Sequence, residues 1–253
     1  MKIQYCSDLH LEFELNSRYL YQYPVIPQAD ILVLAGDITY LRQDFYKHPF
    51  FDYAAKNWKT VYWLPGNHEF YCGIDMINYD FSIPIAIRHN VFLINNMSIK
   101  IGNKYLIFSI LLLKIYNRYA HFIEQNVSDF ECIVYNRQKL NAKTFNQLHE
   151  NSLRFLKKEF EKLRGKPKIV ITHHLPSNSC NAMEFIGSKI NSAFCTDLTS
   201  FVQTSEADYW IYAHSHRNLP EFSISKTKMI TNQLGYIQLN EDQGFRRDAC
   251  ITF

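Results

Sequence analysis

Short apolar-rich runs recur along this chain, and five of them end in a polar cluster. Ile31-Leu32-Val33-Leu34 leads into Ala35-Gly36-Asp37, and Ile3–Cys6 leads into Ser7-Asp8-Leu9-His10. Val61–Leu64 is followed by Pro65-Gly66-Asn67-His68-Glu69, Lys168–Thr172 by His173-His174-Leu175-Pro176, and Asp208–Tyr212 by Ala213-His214-Ser215-His216. The unbroken run Ile31–Leu34 reads as a strand buried on both faces, the kind that fills α/β sheets. Such sheets place their functional groups beyond the carboxyl ends of the strands. Asp8 and His10 are two residues apart, so in extended chain they project to the same side.

Between these runs the period changes. Phe145, Leu148, Ser152, Phe155, Leu156, Phe160 and Leu163 fall three or four apart, which predicts a helix over Thr144–Arg164, stopped by Gly165 and Pro167. Asp44–Trp58 reads as a crossover helix with a break or a start near Pro49. Ile83–Ile87, Val91–Ile94, Ser98–Ile101 and Tyr105–Leu112 read as meandering strands that begin a second sheet, with turns at Asn95-Asn96 and Gly102-Asn103. A short helix over Thr196–Thr204, a hairpin from Phe222–Ile224 and Met229–Thr231, and a terminal strand at Ala249–Phe253 complete the elements. Leu11–Pro27 is aromatic-rich and read as irregular, Ser177–Phe194 has the composition of a loop, and Lys114–Leu140 is either a lobe or a long loop overhanging the strand ends. The whole predicts one α/β domain over residues 1–253, with 114–140 as its candidate cover.

Composition narrows the class. With 253 residues, 47% hydrophobic and 20% charged, the chain buries a large core and has no disordered signature. A formal charge of +3 without a localised basic patch leaves nucleic-acid binding unsupported. The six cysteines contain no C-x-x-C pair, so neither a zinc ribbon nor a disulfide ladder is expected. Met1-Lys2 runs directly into apolar residues, and the longest apolar run, Tyr105–Leu113, is well short of the ~20 residues of a spanning helix. A cytoplasmic protein without membrane association is the expectation.

Taken in order, D-x-H, G-D, G-N-H-E, H-H-x-P and x-H-x-H resemble the calcineurin-like metallophosphoesterase superfamily, and the blocks span nearly the whole chain. Ser-Asp-Leu-His-Leu-Glu, Gly-Asn-His-Glu-Phe-Tyr and His-Ser-His-Arg followed by Asn232-Gln233-Leu234-Gly235-Tyr236 are similar to a bacterial group of stand-alone phosphohydrolases within it. The resemblance implies two mixed β-sheets packed face to face with helices outside. It implies two divalent ions, manganese, iron or zinc. One would be held by Asp8, His10, Asp37 and His216, the other by Asp37, Asn67, His173 and His214, with Asp37 bridging. Two ions ~3.5–4 Å apart clamp the attacking and leaving oxygens of an in-line displacement and make hydroxide available near neutral pH, so a bridging hydroxide is the implied nucleophile. His68 takes the family position of a histidine that faces substrate, to stabilise a phosphoryl oxygen or protonate the leaving group. His174 is expected to support or pack, and His48, His89, His121 and His149 to be ordinary.

The implied function is hydrolysis of a phosphodiester or phosphomonoester, with a phosphorylated small molecule as partner. Tyr71, Asn117, Arg118 and Arg217 are candidate substrate contacts, Arg217 because guanidinium suits bidentate phosphate binding. A nuclease would need a basic groove, a lipid-linked sugar pyrophosphatase an apolar entrance, and a non-catalytic scaffold degraded ligands, which this chain does not have. The family's last block reads G-H-x-H, and Ala213 replaces the glycine. If that position requires φ > 0, the methyl group costs about 1 kcal/mol or shifts His214 slightly, while the ligands themselves are retained.

Overall fold

The computed structural model describes residues 1–253. In chain order its strands are β1 (Lys2–Cys6), β2 (Ile31–Ala35), β3 (Thr60–Leu64), β4 (Ile85–Arg88), β5 (Val91–Leu93), β6 (Met97–Ile101) and β7 (Lys104–Ser109). There follow β8 (Val134–Tyr135), β9 (Gln138–Lys139), β10 (Lys168–Thr172), β11 (Tyr209–Ile211), β12 (Phe222–Ile224), β13 (Thr227–Ile230) and β14 (Cys250–Thr252). The helices are α1 (Glu14–Gln22), α2 (Pro49–Asn57), α3 (Ala120–Asn126), α4 (Asp129–Cys132), α5 (Ala142–Lys162) and α6 (Thr199–Thr204).

Two six-stranded mixed sheets form the body, ordered β14-β1-β2-β3-β5-β4 and β12-β13-β11-β10-β7-β6. In the first, β1, β2, β3 and β5 are parallel; in the second, β7, β10, β11 and β13 are parallel. The alternation within single strands explains why both sheets face each other. On β2, Ile31, Val33 and Ala35 point into the layer between the sheets, where they meet Leu106, Phe108, Ile169, Ile171 and Ile211 of the second sheet. Leu32 and Leu34 point outward, into the core shared with α1, α2 and the 114–140 region. Ile107, Val170, Trp210 and Met229 do the same on the far side, against Leu156 and Phe160 of α5. Burial on both faces is what an uninterrupted apolar strand requires, and each such side chain contributes roughly 1.5–3 kcal/mol.

The division between sheets falls after β5. The four strands read as the start of a second sheet are shared out: β4 and β5 finish the first, β6 and β7 open the second. Pro49 is a helix start, with His48 capping by accepting from the Phe50 N–H. Leu11–Pro27, read as irregular, contains α1. That helix buries only Asn16 and Leu20 and has no side-chain cap, so its stripe is too narrow for the period to show. The 114–140 region is a small lobe: α3, α4 and the β8–β9 hairpin, anchored by Ile123, Phe130 and Ile133 in the core and by Phe130 against Phe145 of α5. No helix is long and apolar enough to cross a membrane.

Candidate metal centre

All five polar clusters lie at the carboxyl ends of β1, β2, β3, β10 and β11, and the chain holds them there by continuing the strand ladder into the loops. Asp8 and His10 donate backbone N–H bonds to the carbonyls of Gly36 and Asp37, at 2.9 and 3.0 Å. Asp8, His10, Asp37, His214 and His216 all have positive φ, between 47° and 75°. Non-glycine residues rarely occupy that region, and five of them at one site mark a backbone bent to aim side chains inward. Ala213 is not among them. The expected penalty at Ala213 is therefore absent: the turn is made by His214 and His216, and Ala213 is buried core that donates its N–H to the His173 carbonyl.

Donor atoms of Asp8, His10, Asp37 and His216 lie within 4.8 Å of one another, as do those of Asp37, His173 and His214. Asp37 belongs to both groups and gives one oxygen to each: Oδ2 is 3.9 Å from His10 Nε2 and Oδ1 is 3.4 Å from His173 Nε2. Asn67 Oδ1 joins the second group, 3.0 Å from His173 Nε2. Every oxygen and nitrogen donor assigned from the sequence is thus brought to one place.

The imidazoles are turned by their far nitrogens. His10 Nδ1 is 3.0 Å from Glu12 Oε1, His216 Nδ1 2.6 Å from Glu241 Oε2, and His173 Nδ1 3.0 Å from the Ala35 carbonyl. With Nδ1–H donating outward, Nε2 carries the lone pair inward, as a metal-binding histidine requires. His10 Nε2 and His216 Nε2 stand 3.0 Å apart, close to the ~3.0–3.4 Å expected for two nitrogens ~2.1 Å from a common ion. His214 Nε2 is buried without a hydrogen-bond partner. A buried nitrogen left unpaired is costly unless something binds it, so these residues fit a divalent ion.

Two glycines make the approach feasible. A Cβ on Gly36 would lie 2.2 Å from His173 Nδ1, and one on Gly66 would lie 2.2 Å from Asp37 Oδ1 and 2.6 Å from the His173 ring. Glu69 then ties the loops together: its buried carboxylate accepts from the N–H groups of Asp37, Ile38 and Gly66 and from Trp63 Nε1, at 2.7 to 3.0 Å. Burial opposes His173 protonation, but the Asp37 carboxylate beside it raises its pKa to about 9. Burial likewise opposes His216, which the carboxylates of Asp8 and Glu241 raise to about 10. His174, by contrast, falls to about 3 through burial and the neighbouring His173 charge, and its Nδ1 bonds the Ile110 carbonyl.

His68 stands beside both groups. Its backbone N–H donates to Asp37 Oδ1 at 2.9 Å, Nδ1 is 3.0 Å from Glu12 Oε1, and Nε2 is 3.1 Å from the Tyr236 hydroxyl. Its ring stacks on Tyr71 at 4.3 Å. Burial lowers its basicity, yet Asp37 and Glu12 outweigh that and the pKa is raised. A cavity of about 540 Å³ opens over His68, His214 and His216, within the size range of small-molecule sites. One wall is the lobe, through Asn126, Val127 and Asp129; the other is the 181–194 loop, through Asn181, Phe185 and Ile190. A larger apolar trough of about 790 Å³ between α1 and α2 contains none of the donor groups.

Tyr71 lines the cavity, but three other candidate contacts do not. Asn117 and Arg118 are exposed on a 3₁₀ turn that leads into α3, where the Arg118 guanidinium lies 4.7 Å over Tyr119. Arg217 donates to Glu184 at 2.8 Å and to Glu241 at 3.4 Å, so it braces the carboxylate that orients His216. Sequence reasoning assigned no role to Glu12, Glu69, Asp129, Tyr236 or Glu241. Glu12 was signalled, since Asp8, His10 and Glu12 continue one alternation; Asp129 carries no local signal at all.

A two-layer sheet sandwich with aspartates, histidines and an asparagine converging beyond its parallel strand ends defines a class: metal-binding hydrolases that act on phosphate esters. The chain belongs to the calcineurin-like phosphoesterase family, whose pattern it matches over residues 1–218. It is 28% identical to an uncharacterized protein of Acanthamoeba polyphaga mimivirus over 260 aligned residues, covering 92% of this chain and 91% of the viral one. Its fold is similar to that of a phosphopantetheinyl hydrolase from Mycobacterium tuberculosis, with a TM-score of 0.72 at 17% identity, over 96% of this chain and 92% of that one.

Proposed function

We propose that the protein hydrolyses a phosphate ester at two divalent ions, one held by Asp8, His10, Asp37 and His216 and the other by Asp37, Asn67, His173 and His214. The observation that carries this reading is the division of Asp37, one carboxylate oxygen facing each donor group. Bound ions would supply Lewis acidity and water activation at neutral pH. The chain supplies the rest. Glu12 and Tyr236 hold the two nitrogens of His68, which fixes the ring where it lines the cavity. Burial opposes its protonation, but Asp37 and Glu12 raise its pKa, which suits a group that stabilises a phosphoryl oxygen or protonates the leaving group.

The cavity walls favour a singly charged diester over a monoester. Beyond the donor groups and His68, its charged side chains are the carboxylates of Asp129 and Glu241, and its outer walls are amides and apolar groups such as Asn126, Asn181, Phe185 and Ile190. Such walls suit a phosphate with neutral arms, and a phosphorylated small molecule is the proposed partner, with the lobe as one side of its cover.

The test is turnover of bis-p-nitrophenyl phosphate beside p-nitrophenyl phosphate, with manganese and with chelator, for wild type and His68→Ala. Phosphopantetheinyl conjugates, the group named for the Mycobacterium tuberculosis neighbour, belong in the same panel. Metal-dependent turnover that favours the diester is expected, with a loss of about 10²–10⁴-fold in His68→Ala at unchanged metal content. Turnover indifferent to chelator, or unchanged in His68→Ala, overturns the mechanism; a monoester preference overturns the substrate class.

A further inference from the structure

Asn67 is an amide among carboxylate and imidazole candidate ligands, and nothing in an amide's shape decides which end faces the site. Its oxygen and nitrogen are nearly isosteric, so orientation is set by partners alone. In this chain both amide hydrogens are taken. Nδ2 donates to Asp129 Oδ1 at 2.9 Å and to the Tyr71 hydroxyl at 3.3 Å, while the Tyr71 hydroxyl itself donates to the same Asp129 oxygen at 2.6 Å. All three residues are buried. The reversed amide would set its oxygen against the Asp129 carboxylate and present N–H groups to His173 Nε2. Oδ1 therefore faces His173 and the second donor group, at 3.0 Å from Nε2.

Asp129 does not belong to the strand-end loops. It begins α4, in the lobe, and reaches the site from 62 residues away in sequence. Phe130 and Ile133, its neighbours, are part of the core that seats the lobe, and Asn126, Val127, Ser128, Asp129 and Cys132 line the cavity.

We propose that Asp129 is a positioning residue that locks Asn67 with its oxygen toward the second donor group, and so couples the seating of the lobe to metal binding there. Coupling runs both ways: a bound ion that fixes Asn67 Oδ1 also holds the amide hydrogens on Asp129, so the ion steadies the lobe as the lobe steadies the ion. The inference rests on the two-ion reading above and is tested without recourse to activity. Metal-free protein is titrated calorimetrically with manganese, for wild type, Asp129→Ala and Asp129→Asn, and hydrogen exchange across residues 123–133 is followed at zero, one and two equivalents. Wild type is expected to take two ions, with exchange in the lobe slowing at the second. Asp129→Ala is expected to weaken the second ion by about tenfold or more and leave the first within about twofold. Asp129→Asn, whose side-chain oxygen still accepts from Asn67 and Tyr71, restores the second ion to within about threefold.

Two ions bound equally well by Asp129→Ala overturn the proposal, as does a lobe whose exchange ignores the second ion. Equal damage in both variants, accompanied by a lower melting temperature of the metal-free protein, reduces Asp129 to a structural role and also overturns it. Should Asp129→Ala fail to fold, the wild-type exchange measurement and Asp129→Asn decide the matter. A wild type that takes up no second ion fails the two-ion reading instead.

Discussion

Around Asp37 the molecule holds two donor groups, and they differ in what stands behind them. The first contains Asp8 as well as Asp37, and its histidines lean on carboxylates: His10 on Glu12 and His216 on Glu241, which Arg217 braces in turn. The second has no carboxylate of its own beyond Asp37. His173 leans on the Ala35 carbonyl, Asn67 is neutral, and His214 presents an unpartnered Nε2. Carboxylate partners make an imidazole a stronger donor, and added ligand charge raises affinity for a divalent ion. On the two-ion reading the first group is therefore expected to be the tighter and the second the looser, its Asn67 held by Asp129 of the lobe.

The largest break in that contrast comes from the residue both groups share. Asp37→Ala is expected to abolish binding of both ions and to lower turnover by about 10³-fold or more, read by metal analysis and kinetics on the same samples. Gly66→Ala acts on one side. The new methyl group would meet Asp37 Oδ1 and the His173 ring, so the second ion is expected to be lost while the first persists, at a stoichiometry near one. Glu241→Gln acts on the other, with about a 10–100-fold weaker first ion and the second little changed, measured by manganese titration. A uniform loss in either variant would erase the distinction.

The smallest effect is on pH dependence. His173 and His216, raised by their carboxylate neighbours to about 9 and about 10, carry protons at pH 7 in the metal-free protein. An ion must displace those protons, so apparent affinity rises from pH 6 to 9, and calorimetry in buffers of different ionisation heat should detect proton release. The metal-free fold responds oppositely. These two histidines have pKa values above the unfolded value of about 6.5, so their stabilisation is complete below that pH and is lost as pH rises through 9 and 10. Its melting temperature should fall over that range.

The same contrast explains what was legible in the sequence. Asp8, His10, Asp37, Asn67, His173, His214 and His216 lie within a few residues of a strand end, so the pattern of strands marked where to look, and the family resemblance of the ordered blocks named them as ligands. The parallel strands bring those ends to one edge. Both sheets could be read for the same reason, though not where one yields to the other: β5 and β6 are separated by Ile94-Asn95-Asn96, a turn like any other in the sequence. The supporting layer was harder. Glu12 is close to its partners along the chain, but Glu241 is 25 residues from His216 and Asp129 is 62 from Asn67, at separations that only tertiary packing sets. Arg217 became a candidate contact only for its place beside His216, and its position in the chain says nothing about its carboxylate partners, Glu184 and Glu241. Ala213 was misjudged because the turn's positive φ falls on the histidines themselves.

Stepwise loading of the metal-free protein tests the central claim most directly. Manganese is added in fractions of an equivalent, and bound metal and bis-p-nitrophenyl phosphate turnover are measured at each point. Two ions sharing Asp37 predict a tight first equivalent with little turnover, and activity that rises only as the second fills. Full activity at one equivalent, saturation at a single ion, or turnover with none would contradict it.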